Sequence, residues 1–179
     1  MCKREKEEPV LTLIIGGAGS GKSAFAEALC CRMAGPRFYL ATMVLRDEES
    51  RQRAGRHRRQ RSALDFITLE LPFGPSETDI PDGANVLLED LPNLLANEMF
   101  DPAGGGAEAV RCVLDNLIRR SGSLTVVSGD VFSGGTTYTE ETLCFMRELA
   151  ALHRELAERA DLAVEVICGL PNILKGELP

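Results

Sequence analysis

The sequence predicts an α/β fold: a mostly parallel sheet with helices on both faces. Three observations predict it. Short runs of strand type alternate with helical segments along the whole chain. Several of those runs are continuously apolar, as strands buried on both faces are. A glycine-rich turn, Gly16 to Ser23 (GGAGSGKS), stands between the first apolar run and the first helical segment.

That turn satisfies the phosphate-loop pattern G-x-x-x-x-G-K-[ST] through Gly16, Gly21, Lys22 and Ser23. Gly17, Ala18, Gly19 and Ser20 fill the interval with small residues. Small residues let the backbone curl so that successive N–H groups point inward at a phosphate. Lys22 is then the cation for the β- and γ-phosphates, and Ser23 the hydroxyl ligand for Mg²⁺. The helix that follows lends its positive end to the anion. The expected architecture is a P-loop NTPase-type, RecA-like three-layer sandwich.

The elements follow in order. Leu11 to Ile15 is a buried strand. Ala24 to Ala34 reads as a helix, with Phe25, Ala28, Leu29 and Arg32 at three- and four-residue spacing, ended by Gly35-Pro36. Phe38 to Thr42 is a strand. Asp47, Glu48 and Glu49 open a helix that runs into Arg51, Arg53, Arg56, Arg58, Arg59 and Arg61, acid first and base last as the helix dipole favours. Phe66 to Leu71 is a strand stopped by Pro72, and Phe73 to Gly83 a turn-rich loop. Asn85 to Asp90 is a strand ending in two acids, and a helix carries Leu91, Leu94, Leu95 and Met99 on one face. Ala107 to Arg120 is amphipathic, with Val110, Val113, Leu114 and Leu117 inward. Leu124 to Ser128 is a strand, Gly129 to Tyr138 a loop, and Thr139 caps a helix to Ala160. Leu162 to Cys168 is the last expected strand, after which Gly169-Leu170-Pro171 turns the chain out.

Composition bounds the rest. The 179 residues are expected to form one domain, 1–179, with residues 1–9 a flexible lead-in. No apolar stretch is long enough to span a bilayer, and the charged N-terminus lacks the apolar core of a signal peptide, so a cytoplasmic protein is expected. The six cysteines form no C-x-x-C pair and read as reduced core thiols. A net charge of -7 argues against a general nucleic-acid partner.

Two further stretches carry candidate chemistry. Glu89 and Asp90 end an aliphatic strand, where a phosphate-loop enzyme places a carboxylate for Mg²⁺ or for the acceptor hydroxyl; Glu89 is the better candidate of the two. Seven of the twenty basic residues lie between Arg46 and Arg61, around Arg56-His57-Arg58-Arg59. Such guanidinium groups neutralise charge in phosphoryl transfer; a solvated helix face is the plainer reading. His153, on the last helix, reads as a surface residue.

In its ordered motifs the chain resembles the bifunctional adenosylcobinamide kinase / adenosylcobinamide-phosphate guanylyltransferase family, from Leu13 to Lys175. The matches are Gly16 to Ser23, Ala26-Glu27-Ala28-Leu29, Tyr39-Leu40-Ala41-Thr42, Arg53 with His57, Thr68-Leu69-Glu70, Leu87-Leu88-Glu89, Asn97 with Phe100, and Gly169-Leu170-Pro171. It departs from the family pattern at Arg56, at Asp90 to Pro92, at Gly129 to Phe132, and around Ala150 to Arg154. The resemblance implies that His57 attacks the α-phosphate of GTP, forming a guanylyl-histidine that passes GMP to adenosylcobinamide phosphate. It implies a second activity, phosphorylation of adenosylcobinamide with ATP or GTP. Thr42, Met43, Arg58, Arg59, Gln60, Arg61, Glu70 and Glu89 are then nucleotide-site residues, and a homotrimer is implied. A kinase for another small alcohol, or a nucleotide-binding regulatory protein without transfer activity, are the alternatives.

Overall fold

The computed structural model describes residues 11–44, 55, 64–74, 79–132, 134, 135 and 137–179. Seven strands form one sheet: β1 (Leu11–Gly16), β2 (Arg37–Ala41), β3 (Phe66–Glu70), β4 (Asn85–Glu89), β5 (Ser123–Gly129), β6 (Leu162–Ile167) and β7 (Leu170–Lys175). Four helices are described: α1 (Lys22–Cys30), α2 (Leu91–Phe100), α3 (Gly106–Arg120) and α4 (Glu140–Arg159). The strand order is β3-β2-β4-β5-β1-β6-β7. Every pairing is parallel except β6 with β7. The parallel α/β expectation holds, and β5 separates the glycine-loop strand β1 from the acid-bearing strand β4.

The sheet divides its side chains by strict alternation. Leu11 and Leu13 of β1, Val86 and Leu88 of β4, and Leu124 and Val126 of β5 point to one face, with the apolar stripes of α2, α3 and α4. Ile14, Leu87, Val127 and Val164 point to the other, with Ala26, Leu29 and Cys30 of α1. Leu87, Leu88, Leu91, Leu94 and Leu95 are fully buried, each worth about 1.5–3 kcal/mol of transfer free energy. Arg111 of α3 ties that helix to α4 through Glu148 and Glu155, at 3.2 and 3.1 Å. Thr139 caps α4 as expected, accepting from the N–H of Thr142.

The structure corrects four expectations. The first helix ends at Cys30, not Ala34, because Arg32 and Met33 bond back only three residues and tighten the last turn. The chain does not leave the sheet after β6. Residues 170–175 return as β7, an antiparallel edge strand in which Pro171 needs no ladder donor. Only Cys30 among the described cysteines is buried; Cys112, Cys144 and Cys168 are exposed, because they sit off the inward stripes. His153 is half-buried, not a surface residue. The expected helix over Asp47 to Arg61 lies outside the described residues, apart from Gly55.

Asn97 of α2 holds the carboxyl end of β2 in place. Its side-chain amide donates to the carbonyls of Thr42 and Pro72, each at 2.8 Å, and the residue is buried. Asn97→Ala leaves both carbonyls without that donor and should lower stability by about 2–4 kcal/mol in chemical denaturation. A loss below ~0.5 kcal/mol would contradict this account.

Candidate functional site

The glycine loop begins at Gly16, the last residue of β1. A Cβ there would lie 2.6 Å from Ser20 Oγ and 2.7 Å from the carbonyl oxygen of Val166, so no larger residue fits. Gly19 and Gly21 adopt φ of 69° and 91°, the left-handed region that glycine enters without strain. Gly21 caps α1 with no side chain bonded to the first turn, which leaves backbone donors facing an incoming anion. The ammonium of Lys22 donates to the carbonyl of Gly17 at 3.2 Å, folded over its own loop. From the other side, the N–H of Gly169, in the β6–β7 turn, donates to the carbonyl of Ser20 at 2.8 Å.

β4 supplies the acid. Alternation sends Leu88 to the α2–α4 face and Glu89 to the α1 face, beside the glycine loop. There the hydroxyl of Ser23 donates to Glu89 Oε1. The second oxygen, Oε2, is buried with no hydrogen-bond partner. Burial, above all, pushes the Glu89 carboxyl up from 4.5 to about 7; the Ser23 hydrogen bond opposes the rise, and the Asp90 and Glu27 carboxylates add to it. A hydroxyl and an acid with an unused buried oxygen are hard oxygen donors that fit a Mg²⁺ shared with nucleotide phosphates. Among the described residues no group of three His, Cys, Asp or Glu side chains is placed to hold a metal without such help.

The adjoining acid has a different task. Asp90 is the N-cap of α2, and its carboxylate accepts from the N–H of Asn93 at 2.9 Å. Thr42 is buried, and its hydroxyl is spent on the backbone of Asp90, donating to its carbonyl and accepting from its N–H at 2.8 Å. Thr42 thus fastens the end of β2 to the end of β4. Met43 follows it, half-buried, and Glu70 ends β3 exposed. The structure brings Lys22, Ser23 and Glu89 together; Thr42 stands behind them, and Glu70 lies at the end of the outermost strand. His57, Arg58, Arg59, Gln60 and Arg61 lie outside the described residues.

One residue was missed by the sequence reading. Nε2 of His153, on α4, shares a 2.6 Å hydrogen bond with Ser128 Oγ at the end of β5. Phe132 packs edge-on against the imidazole, ring centroids 5.8 Å apart. Burial lowers the His153 pKa, against the opposing pull of the Asp130 carboxylate, and so favours the neutral ring. The signal available in sequence was that Gly129 to Phe132 and Ala150 to Arg154 both depart from the family pattern. The fold puts these two segments in contact.

The Glu89 environment predicts a pH dependence. An acid whose pKa is higher folded than unfolded keeps its proton longer in the folded chain. Stability is therefore fully present below about 4.5 and declines as pH rises through about 7. Nucleotide-free protein in EDTA should lose about 2 kcal/mol from this group between pH 5.5 and 8. Glu89→Gln should remove that part of the slope, read by denaturation at both pH values. An unchanged slope would mean that Glu89 is solvated.

A mostly parallel sheet, a phosphate loop between β1 and α1, and an acid at the end of β4, one strand removed from β1 and bonded to that loop's Ser23, define a P-loop nucleotide-binding protein. The family model described as cobinamide kinase / cobinamide phosphate guanyltransferase matches residues 12–174. The "Bifunctional adenosylcobalamin biosynthesis protein CobP" of Pseudomonas aeruginosa is 33% identical over 172 residues, covering 92% of this chain and 97% of that protein. Among solved structures, the P4 protein from bacteriophage phi6 in complex with ADP is 12% identical with a TM-score of 0.43, over 94% of this chain and 55% of that one. The chain belongs to the cobinamide kinase / cobinamide phosphate guanyltransferase family.

Proposed function

We propose that this protein is a nucleotide-dependent transferase of cobalamin biosynthesis with two activities. It phosphorylates adenosylcobinamide, and it transfers GMP from GTP to adenosylcobinamide phosphate. The observation that carries the reading is the meeting of Lys22, Ser23 and Glu89 at the end of β1 in a chain whose family match runs through nearly its whole length. In this reading residues 1–179 act as one cytoplasmic transferase domain, with ATP or GTP as the donor.

Each residue has a task that its surroundings allow. The uncapped start of α1 and the loop N–H groups receive the phosphates. Lys22 leaves the Gly17 carbonyl and turns to the β- and γ-phosphate oxygens. Ser23 and Glu89 would hold Mg²⁺, which would neutralise charge on the phosphates. A cation beside Glu89 would favour its ionised form. Thr42 keeps β2 and β4 in register behind the site. His57 is the nucleophile of guanylyl transfer, with Arg58, Arg59, Gln60 and Arg61 beside the triphosphate, and Met43 and Glu70 complete the nucleotide site. The protein acts as a homotrimer.

The test is direct. Purified protein with adenosylcobinamide, GTP and Mg²⁺ should yield adenosylcobinamide phosphate and then adenosylcobinamide-GDP, followed by chromatography. Nucleotide binding without either product would leave the regulatory reading standing instead.

A further inference from the structure

β1 and β5 lie side by side, paired from Leu11↔Leu124 to Gly16↔Gly129. At their carboxyl ends the chain leaves in opposite directions. β1 passes through the glycine loop into α1, which packs on one face of the sheet. β5 leads towards α4, which packs on the other. Such a divergence opens a crevice where ligands of parallel sheets sit. The glycine loop forms one side of it. The other side is built on Ser128, 0% exposed, whose hydroxyl fixes the His153 ring at 2.6 Å. That ring in turn supports Phe132, which leaves 40% of its surface open to solvent. An exposed aromatic braced by a part-buried polar pair forms a wall with no described residue assigned to its outer side.

His153 joins this crevice to a cavity of about 460 Å³ between α4 and the strands β1, β6 and β7. Leu13, Ile15, Ala157, Ala163 and Leu174 wall it, so it is apolar. Its volume lies in the range of small-molecule sites, which are mostly apolar with a few polar groups. Two cations line it. Lys175 is engaged with the carbonyls of Ala157 and Glu158, at 3.1 and 2.9 Å. Arg154 has no hydrogen-bond or ion-pair partner among the described residues. A free guanidinium at an apolar cavity suits a ligand with an apolar flank and a carbonyl or phosphate oxygen.

We propose that this cavity, together with the His153–Phe132 pair, binds the apolar flank of the acceptor and sets acceptor specificity, with Arg154 meeting an acceptor oxygen. The inference rests on the transferase reading, because it takes the acceptor to be a large amphipathic alcohol. It assigns nucleotide and acceptor to opposite sides of the β1–β5 crevice. His153 is here a positioning residue: it holds Phe132 and shapes the cavity without touching the transferred group.

The experiment is equilibrium dialysis of adenosylcobinamide against protein loaded with Mg²⁺ and a non-hydrolysable ATP analogue. Phe132→Ala should weaken acceptor binding about fivefold, the loss of one aromatic wall. Ala157→Phe, which fills the cavity, should weaken it at least about tenfold. Analogue affinity should stay within about twofold in both variants. Phe132 is exposed, so its variant keeps the test informative even if Ala157→Phe misfolds. Acceptor affinity unchanged in both variants overturns the proposal. So does unchanged acceptor affinity with an altered mass of Ala157→Phe in sedimentation, which would make the cavity a contact between copies. Wild-type protein that turns over adenosylcobinamide while the variants keep its KM defeats this inference alone. Wild-type protein that neither binds nor phosphorylates adenosylcobinamide defeats the transferase reading with it.

Discussion

Incubation with α-labelled GTP and Mg²⁺ is expected to leave a covalent label on the protein, and γ-labelled GTP is expected to leave none. Attack on the α-phosphate expels pyrophosphate and forms a nitrogen–phosphorus bond, so the label carries the α-phosphorus only. The attacking imidazole must be neutral. His57 stands in sequence among Arg51, Arg53, Arg56, Arg58 and Arg59, and nearby positive charge disfavours the imidazolium. In the proposed reaction the same charges would stabilise the triphosphate oxygens in the transition state. A phosphoramidate is labile in acid and stable in base, which distinguishes it from an ester on Ser or Thr. His57→Ala should abolish the label and spare phosphorylation of adenosylcobinamide, because the two steps use different groups. The step is worth making covalent because it divides one difficult transfer into two easier ones. Well-folded, nucleotide-bound protein that takes no label would remove the guanylyltransferase half and leave the kinase half untouched.

Lys22→Ala carries the second large effect. In the nucleotide-free chain the Lys22 ammonium donates to the Gly17 carbonyl of its own loop, at 3.2 Å. Nothing in the core depends on that contact, so the melting temperature should move little. With nucleotide bound, the ammonium is expected to reach the β- and γ-phosphates. Its removal should lower nucleotide affinity or turnover at least about tenfold, or roughly 1.4 kcal/mol. Titration with a fluorescent nucleotide reads the first and the coupled assay the second. Unchanged values in both would mean that the loop binds no triphosphate. A large fall in stability would mean that Lys22 is structural, which its bond to its own loop argues against.

The distance between the sequence and the structure is clearest at the paired acids. Both Glu89 and Asp90 end an aliphatic run, and composition treats them alike. The structure does not. Glu89 ends β4 and meets Ser23, while Asp90, just past the strand, caps α2 through Asn93. The end of the strand at this pair was legible because its apolar residues could be counted. The role of Asp90 was not, because it depends on where α2 begins. Thr42 shows the same limit: its position at a strand end was readable, but its bonds to Asp90 join residues 48 apart.

By itself the sequence determined the phosphate loop, the alternation of strands and helices, and the family to which the chain belongs. These rest on local spacing, and local spacing is what backbone geometry and hydrophobic burial act upon first. Tertiary structure alone decided the strand order, the return of residues 170–175 as an antiparallel edge, and the contact of His153 with Ser128 and Phe132. In the sequence β7 is disguised by Gly169 and Pro171, and only a neighbouring strand with free backbone groups makes it a strand. His153 looks like one more polar residue on an amphipathic helix. It becomes a half-buried hydrogen-bonding group because α4 lies across β1 and β5, whose pairing joins parts of the chain more than a hundred residues apart.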